Sequence, residues 1–220
     1  MGPPTGSAAR VVSVNAGRAA DAAWAGRLKR TAIDKRPAAG PVAVATLGLA
    51  GDEQADTENH GGPDQAVYVY AREDLDWWER RLGRVIRDGM FGENITSTGV
   101  DVTGTVMGER WRLGTALVEV TTPRIPCSVF RGWMGERGWV KQFALARRPG
   151  AYLRVLEPGL VRAGDGIEML ARPGTSVTMA EAMHAYYSRD EVLIGRILGL
   201  PGHAAKWDAV AGELSAGQAG

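Results

Sequence analysis

The sequence predicts a mainly β, α+β chain: a β-barrel with peripheral helices and a small C-terminal three-helix appendage. Three observations predict it. Short β-branched runs bounded by Gly and Pro recur through the first 172 residues, only two helical stretches interrupt them, and the pattern turns helical after Arg172-Pro173-Gly174.

Val11-Val12-Ser13-Val14-Asn15 and Pro41-Val42-Ala43-Val44-Ala45 open the series of strands. Gln65 to Tyr70, Glu109 to Leu113 and Ala116 to Val120 alternate or nearly alternate, and Tyr152 to Leu156 and Gly166 to Leu170 follow. A βαβ sheet would alternate strands with helices regularly, so an antiparallel barrel or sandwich is favoured. Leu75, Trp78 and Leu82 give Arg72 to Leu82 an apolar helical stripe, and a weaker helix spans Gly132 to Ala146. Thr178-Met179-Ala180-Glu181 and Ser188-Arg189-Asp190-Glu191 both fit the capping box that opens a helix. Three short helices are therefore expected over residues 176–214, after a barrel domain over 10–173 and a frayed tail over 1–9. Their apolar stripes need a surface to bury against, which a homodimer would supply.

The 220 residues, 45% hydrophobic and 23% charged, are those of one ordinary globular domain with an appendage, and not of a collagen-like, disordered or disulfide-scaffold chain. A formal net charge of +1 gives no global field for nucleic acid or an anionic membrane. The helical tail resembles a helix-turn-helix only superficially, since it offers few cations beyond Arg189, Arg196 and Lys206. No apolar run is long enough to span a membrane and no basic region precedes an apolar one at the start, so a cytoplasmic protein is expected. One cysteine, Cys127, excludes an intramolecular disulfide, and with three histidines a clustered zinc site is excluded too.

Three loops are unusual. Gly51-Asp52-Glu53-Gln54-Ala55-Asp56 is followed by Asn59-His60-Gly61-Gly62-Pro63-Asp64, where the glycines let backbone N–H groups approach a ligand and His60 can donate to it; the plain alternative is a wide turn. Asp52 with Asp56 suits acid–base work or a hard cation, although loop carboxylates are more often solvated. Gly89 to Gly99 crowds small residues, hydroxyls and Asn94, whose amide can read the edge of a heterocycle or simply cap a turn. Thr121-Thr122-Pro123-Arg124-Ile125-Pro126-Cys127-Ser128 stiffens the chain around the thiol. Cys127 there reads either as a small buried hydrophobe or, with Arg124 favouring its thiolate, as a nucleophile or soft metal ligand. A catalytic pair of Cys127 with His60 lacks an evident third group.

Taken in order, Gly51 to Asp56, Asn59 to Asp64 with Ala66-Val67, Phe91-Gly92-Glu93-Asn94, Pro123 to Cys127 and Tyr152 to Gly159 resemble the YiiM-like branch of the MOSC domain family, over nearly the whole chain. The tail from Val177 to about Leu214 is similar to the three-helix segment of that branch. The resemblance implies a mixed β-barrel that binds a pterin-based molybdenum cofactor, with Cys127 as ligand to molybdenum. It implies reduction of N-hydroxylated compounds, such as hydroxylamino purines, to amines. The alternative is a non-catalytic carrier of the cofactor, or of sulfur as a Cys127 persulfide. The chain has neither the cysteines for an iron–sulfur cluster nor a GxGxxG motif, so electrons would come from a separate flavin or iron–sulfur partner. For the cofactor's phosphate and heteroatoms the resemblance offers Arg72, Arg124 and Arg154, Arg124 foremost, and for the pterin or the substrate mouth His60, Gly61, Asn94, Thr96 and Thr98. Ser128-Val129-Phe130 follows Cys127 where other members carry an aromatic and a basic residue, which bears on substrate shape.

Overall fold

The computed structural model describes residues 8–55, 61–174 and 177–218. Its strands are β1 (Arg10–Ala16), β2 (Ala20–Asp21), β3 (Arg30–Thr31), β4 (Arg36–Pro37), β5 (Val42–Ala45), β6 (Gly48–Leu49), β7 (Val67–Ala71), β8 (Ile95–Thr98), β9 (Arg110–Leu113), β10 (Ala116–Thr122), β11 (Ala151–Glu157), β12 (Gly159–Val161) and β13 (Ile167–Ala171). Its α-helices are α1 (Arg72–Leu82), α2 (Ser128–Met134), α3 (Trp139–Ala146), α4 (Met179–Ser188), α5 (Glu191–Leu198) and α6 (Lys206–Gln218).

One curled sheet runs β13-β9-β10-β11-β7-β8-β1-β4. It bends until β1 meets the turn before β13: Val11 N–H donates to Asp165 O at 2.8 Å and Ile167 N–H to Ala9 O at 3.0 Å. A small sheet, β12-β5-β6, and the β2-β3 ribbon flank it. The expected antiparallel pairing holds except at one place, where β7 and β8 are parallel. Parallel neighbours need a crossover, and α1 supplies it.

β7 divides the core. Val67, Val69 and Ala71 point into the barrel interior, whereas Tyr68 and Tyr70 point outward into an aromatic cluster with Trp78, Phe91, Phe130, Trp139 and Phe143. This is the period of two in a strand covered on both faces, and it leaves all five residues buried. The single weak helix expected from Gly132 to Ala146 is instead two, because Gly135 (φ 67°) ends α2 in the left-handed region and Gly138 (φ 70°) precedes α3.

The capping box at Thr178 forms in full, with the Thr178 hydroxyl accepting from Glu181 N–H and the Glu181 carboxylate accepting from Thr178 N–H. The box expected at Ser188 does not form. α4 runs through Ser188, Arg189 turns left-handed (φ 56°), and Asp190 caps α5 by accepting from Leu193 N–H at 3.0 Å. Met179, Ala182, Ile194, Ile197 and Trp207 share one core cluster with the barrel residues Val100, Val102 and Met107. The appendage thus buries its stripe on its own barrel, which removes the reason given above for a dimer.

Candidate functional site

On the aromatic side of β7 an open cleft of about 680 Å³ is lined by side chains from several loops, among them Lys35, Asp52, Asn94, Arg124, Cys127 and Tyr152. β10 delivers the central pair. Beyond Thr122 the segment is fixed by Pro123 and Pro126 and by the Thr121 hydroxyl, which donates to Asp64 O at 2.5 Å and Tyr152 O at 3.0 Å. Cys127 is then extended (φ −117°, ψ 177°), immediately before α2, and its carbonyl accepts from Arg131 N–H.

Arg124 is buried, donates from Nη1 to Phe91 O at 2.7 Å, and stands 4.1 Å over the Phe130 ring and 5.2 Å over the Tyr68 ring. Among the described residues no carboxylate forms an ion pair with it, and its buried Nε has no hydrogen-bond partner. Burial opposes its charge, but Tyr152, Tyr68, Cys127 and Glu93 outweigh burial and hold its pKa above the ordinary arginine value. Gly92 beside it takes φ +76°, where a side chain would be strained and its Cβ would press on Ile33 Cγ1 at 3.1 Å.

The other end of the cleft is a latch. Lys35 Nζ pairs with Asp52 Oδ1, which also accepts Gly17 N–H at 2.8 Å, and Asp52 Oδ2 accepts Asn94 Nδ2 at 2.8 Å. Asn94 Oδ1 accepts Tyr68 N–H at 3.1 Å, so its amide joins β7 to the Asp52 loop rather than reaching for a ligand. Beneath it, buried Glu93 accepts Gly89 N–H at 2.6 Å, Phe91 N–H at 2.9 Å and the Thr96 hydroxyl at 3.1 Å. Burial pushes the Glu93 pKa up to about 7, and these donors hold it from rising further.

The structure therefore brings Cys127, Arg124 and Asn94 together and disperses the other expected residues. Arg72 is spent on Asp76, Glu79 and Asp88 at 2.7–2.9 Å. Arg154 binds Asp64, Glu119 and Gly202 O, which fastens the barrel to the appendage. The Thr98 hydroxyl donates to Glu73 at 2.6 Å. Gly61 is half-buried and does not line the cleft, while His60, Asn59 and Asp56 lie outside the described residues. Asp52 is not a solvated loop carboxylate, because Lys35 neutralises it. Lys35 itself gave no signal in sequence, sitting in the charged run Asp34-Lys35-Arg36. Tyr68 and Tyr152, whose rings lie 4.8 Å apart, were legible only as strand residues. Among the described residues no group of three or more His, Cys, Asp or Glu is placed to hold a metal ion.

Residues 56–168 match the MOSC domain. The chain is 36% identical to YflK of Bacillus subtilis over 90% of this chain and 91% of that one, and 31% identical to YiiM of Escherichia coli over 81% and 82%. It is also 32% identical to a protein of Gibberella moniliformis named Reductase, over 77% of this chain and 31% of that protein. The crystal structure of YiiM from Geobacillus stearothermophilus superposes with a TM-score of 0.77 at 30% identity, covering 91% of this chain and 96% of that one.

Proposed function

The chain belongs to the MOSC domain family, a family associated with the molybdenum cofactor, and from that premise we propose that it is a molybdenum-dependent oxidoreductase that reduces N-hydroxylated compounds to amines with Cys127 as ligand to the metal. The observation that carries the reading is the chain's one thiol, fixed at the cleft beside a buried guanidinium with which, among the described residues, no carboxylate forms an ion pair.

The residues suit this group on chemical grounds. Among the described residues the cleft offers one soft donor and no cluster of further ligands, which suits a metal that arrives already chelated by an organic dithiolene. The unpartnered Nε of Arg124 awaits an acceptor, and the half-buried ring of Tyr152 lines the cleft beside it. When bound, the cofactor supplies a metal centre that takes up an oxygen atom and cycles between two oxidation levels. The net reaction adds two electrons and two protons to R–NH–OH, breaks the N–O bond, and releases R–NH2 and water. The electrons come from a separate flavin or iron–sulfur protein. The role of the chain is to present the Cys127 sulfur, to hold a positive charge at Arg124, and to keep Lys35, Asp52 and Asn94 as a rigid wall.

The test is molybdenum per chain, measured by elemental mass spectrometry on wild type and Cys127→Ser from a host that makes the cofactor. Near-stoichiometric metal that disappears in the variant supports ligation. Folded wild type without molybdenum overturns the reading. Metal retained, but with no reduction of N-hydroxylated compounds under a competent electron donor, favours a carrier.

A further inference from the structure

The ribbon of β2 and β3 forms one wall of the cleft. A short 3-10 helix, Ala23–Leu28, joins its strands, and Leu28 and Thr31, with Ala32 and Ile33 after them, line the same cleft as Cys127. Both ends of the ribbon are fastened. At its root Gly17 N–H donates to Asp52 Oδ1 at 2.8 Å and Ala19 N–H to Glu53 Oε2 at 2.8 Å, while Arg30 closes the base on Asp21 Oδ1 at 3.0 Å and Ala19 O at 2.9 Å. At its tip Trp24 sits on α2, the helix that starts directly after Cys127. The Trp24 ring lies 5.6 Å from that of Trp133, and a Cβ on Gly132 would come within 2.7 Å of the Trp24 carbonyl oxygen, so a side chain there would push the ribbon off its seat.

What this fixed wall presents is unusual. Ala22 and Ala25 are buried in the aromatic cluster with Phe130 and Met134, yet Leu28, the ribbon's one aliphatic side chain larger than alanine, stays 39% exposed on the cleft. Packing alone would bury the leucine before the alanines. The turn after it holds it there, because Lys29 is left-handed (φ 52°) and its N–H donates to Gly26 O at 3.3 Å. Val129, two residues past Cys127, adds apolar surface to the same lining.

We infer that Leu28 is a specificity-determining residue: with Val129 it gives the cleft an apolar surface that favours N-hydroxylated substrates with an aryl body over small ones. The substrate class rests on the reductase reading. The physical basis does not, since covering an open leucine requires neither metal nor turnover.

The experiment uses the full chain from a host that makes the cofactor, as wild type, Leu28→Ala, Leu28→Asn and Leu28→Met. It measures molybdenum per chain, kcat/KM for N-phenylhydroxylamine and N-methylhydroxylamine with a chemical reductant, and equilibrium dialysis of N-phenylhydroxylamine without one. Leu28→Ala and Leu28→Asn are expected to lower the aryl-to-methyl kcat/KM ratio by about fivefold and to weaken aryl binding by a similar factor, while Leu28→Met keeps both within about twofold. Molybdenum per chain stays at the wild-type level in all three. A ratio that does not move, an equal fall for both substrates, or wild type that does not bind the aryl compound overturns the inference, and so does molybdenum lost from Leu28→Asn, which would assign the residue to the cofactor. Wild type without metal or turnover sinks the reductase reading alone, because the dialysis comparison of wild type with Leu28→Asn still decides whether Leu28 holds an aryl body.

Discussion

Asp52→Asn is expected to be among the most damaging conservative changes in the cleft. The side chains of Lys35 and Asp52 keep only 9% and 6% of their exposure, so the pair is desolvated on both sides. Asp52 Oδ1 accepts from Lys35 and Gly17 N–H, and Oδ2 accepts from Asn94 Nδ2, so every neighbour of the carboxylate is a donor. An asparagine amide must therefore aim its own NH2 at a donor whichever way it is turned. It also leaves the lysine charge buried without its partner, a loss of about 3–5 kcal/mol in comparable cases. The lower end is expected, because burial already outweighs the pull of Asp52 and holds the Lys35 pKa below its ordinary value, so the charge that loses its partner is one the site already disfavours. Urea unfolding followed by the fluorescence of the seven tryptophans measures the effect. With a slope near 3 kcal/mol per molar, the midpoint should fall by about 1 M. Lys35→Met combined with Asp52→Asn should recover part of that fall, since the stranded charge is gone. A single-variant shift under about 0.3 M, or a double variant no better than the single, refutes the latch.

Glu93 makes stability depend on pH. The folded carboxyl keeps its proton up to about pH 7 while the unfolded one releases it near 4.5, so the stability Glu93 contributes is full below 4.5 and is lost as pH rises through 7. The difference is worth about 3 kcal/mol, and equilibrium unfolding at a series of pH values should show that slope in wild type and a flatter one in Glu93→Gln. Thr178→Ala should lose about 1 kcal/mol with its capping box, whereas Ser188→Ala, whose hydroxyl bonds only the His184 carbonyl, should stay within about 0.5 kcal/mol; thermal unfolding of both variants checks the pair.

What was legible in sequence was local. The alternation of Val67 and Val69 with Tyr68 and Tyr70, the stripe of Arg72 to Leu82 and the box at Thr178 are each decided by neighbours within a few positions. The parallel pairing of β7 with β8 was not, because it depends on where α1 returns the chain. The same limit governs the site. Whether an arginine serves a ligand or the protein depends on which carboxylates fold around it. Arg154 meets Asp64 from 90 positions away, and Arg72 meets Asp88 across a helix and a loop. Asn94 stood out in sequence as an amide among small residues, but its role as the clasp on Asp52 appears only once β7 and β8 are side by side. Lys35, between two other charged residues, looked like solvated surface until the Asp52 loop closed over it.

Arg124 divides the cleft into two chemically different ends. The latch of Lys35, Asp52 and Asn94 is closed on itself: each of its strong donors has an acceptor, so it gives the cleft shape and rigidity and has little charge left for a ligand. The Cys127 end is the reverse, with a soft sulfur, a guanidinium that forms no ion pair among the described residues, and the half-buried Tyr152 ring. Among the described residues a free metal ion finds too few ligands there. A large π-rich ligand that brings its own metal chelate makes use of all three features at once. The appendage belongs to the same design, because Asp64 accepts from Ala205 N–H while its other oxygen holds Arg154, which in turn grips Gly202. The strand that carries Tyr152 into the cleft is thereby pinned to the appendage. Loosening the appendage should consequently disturb the cysteine end and leave the Lys35 latch intact.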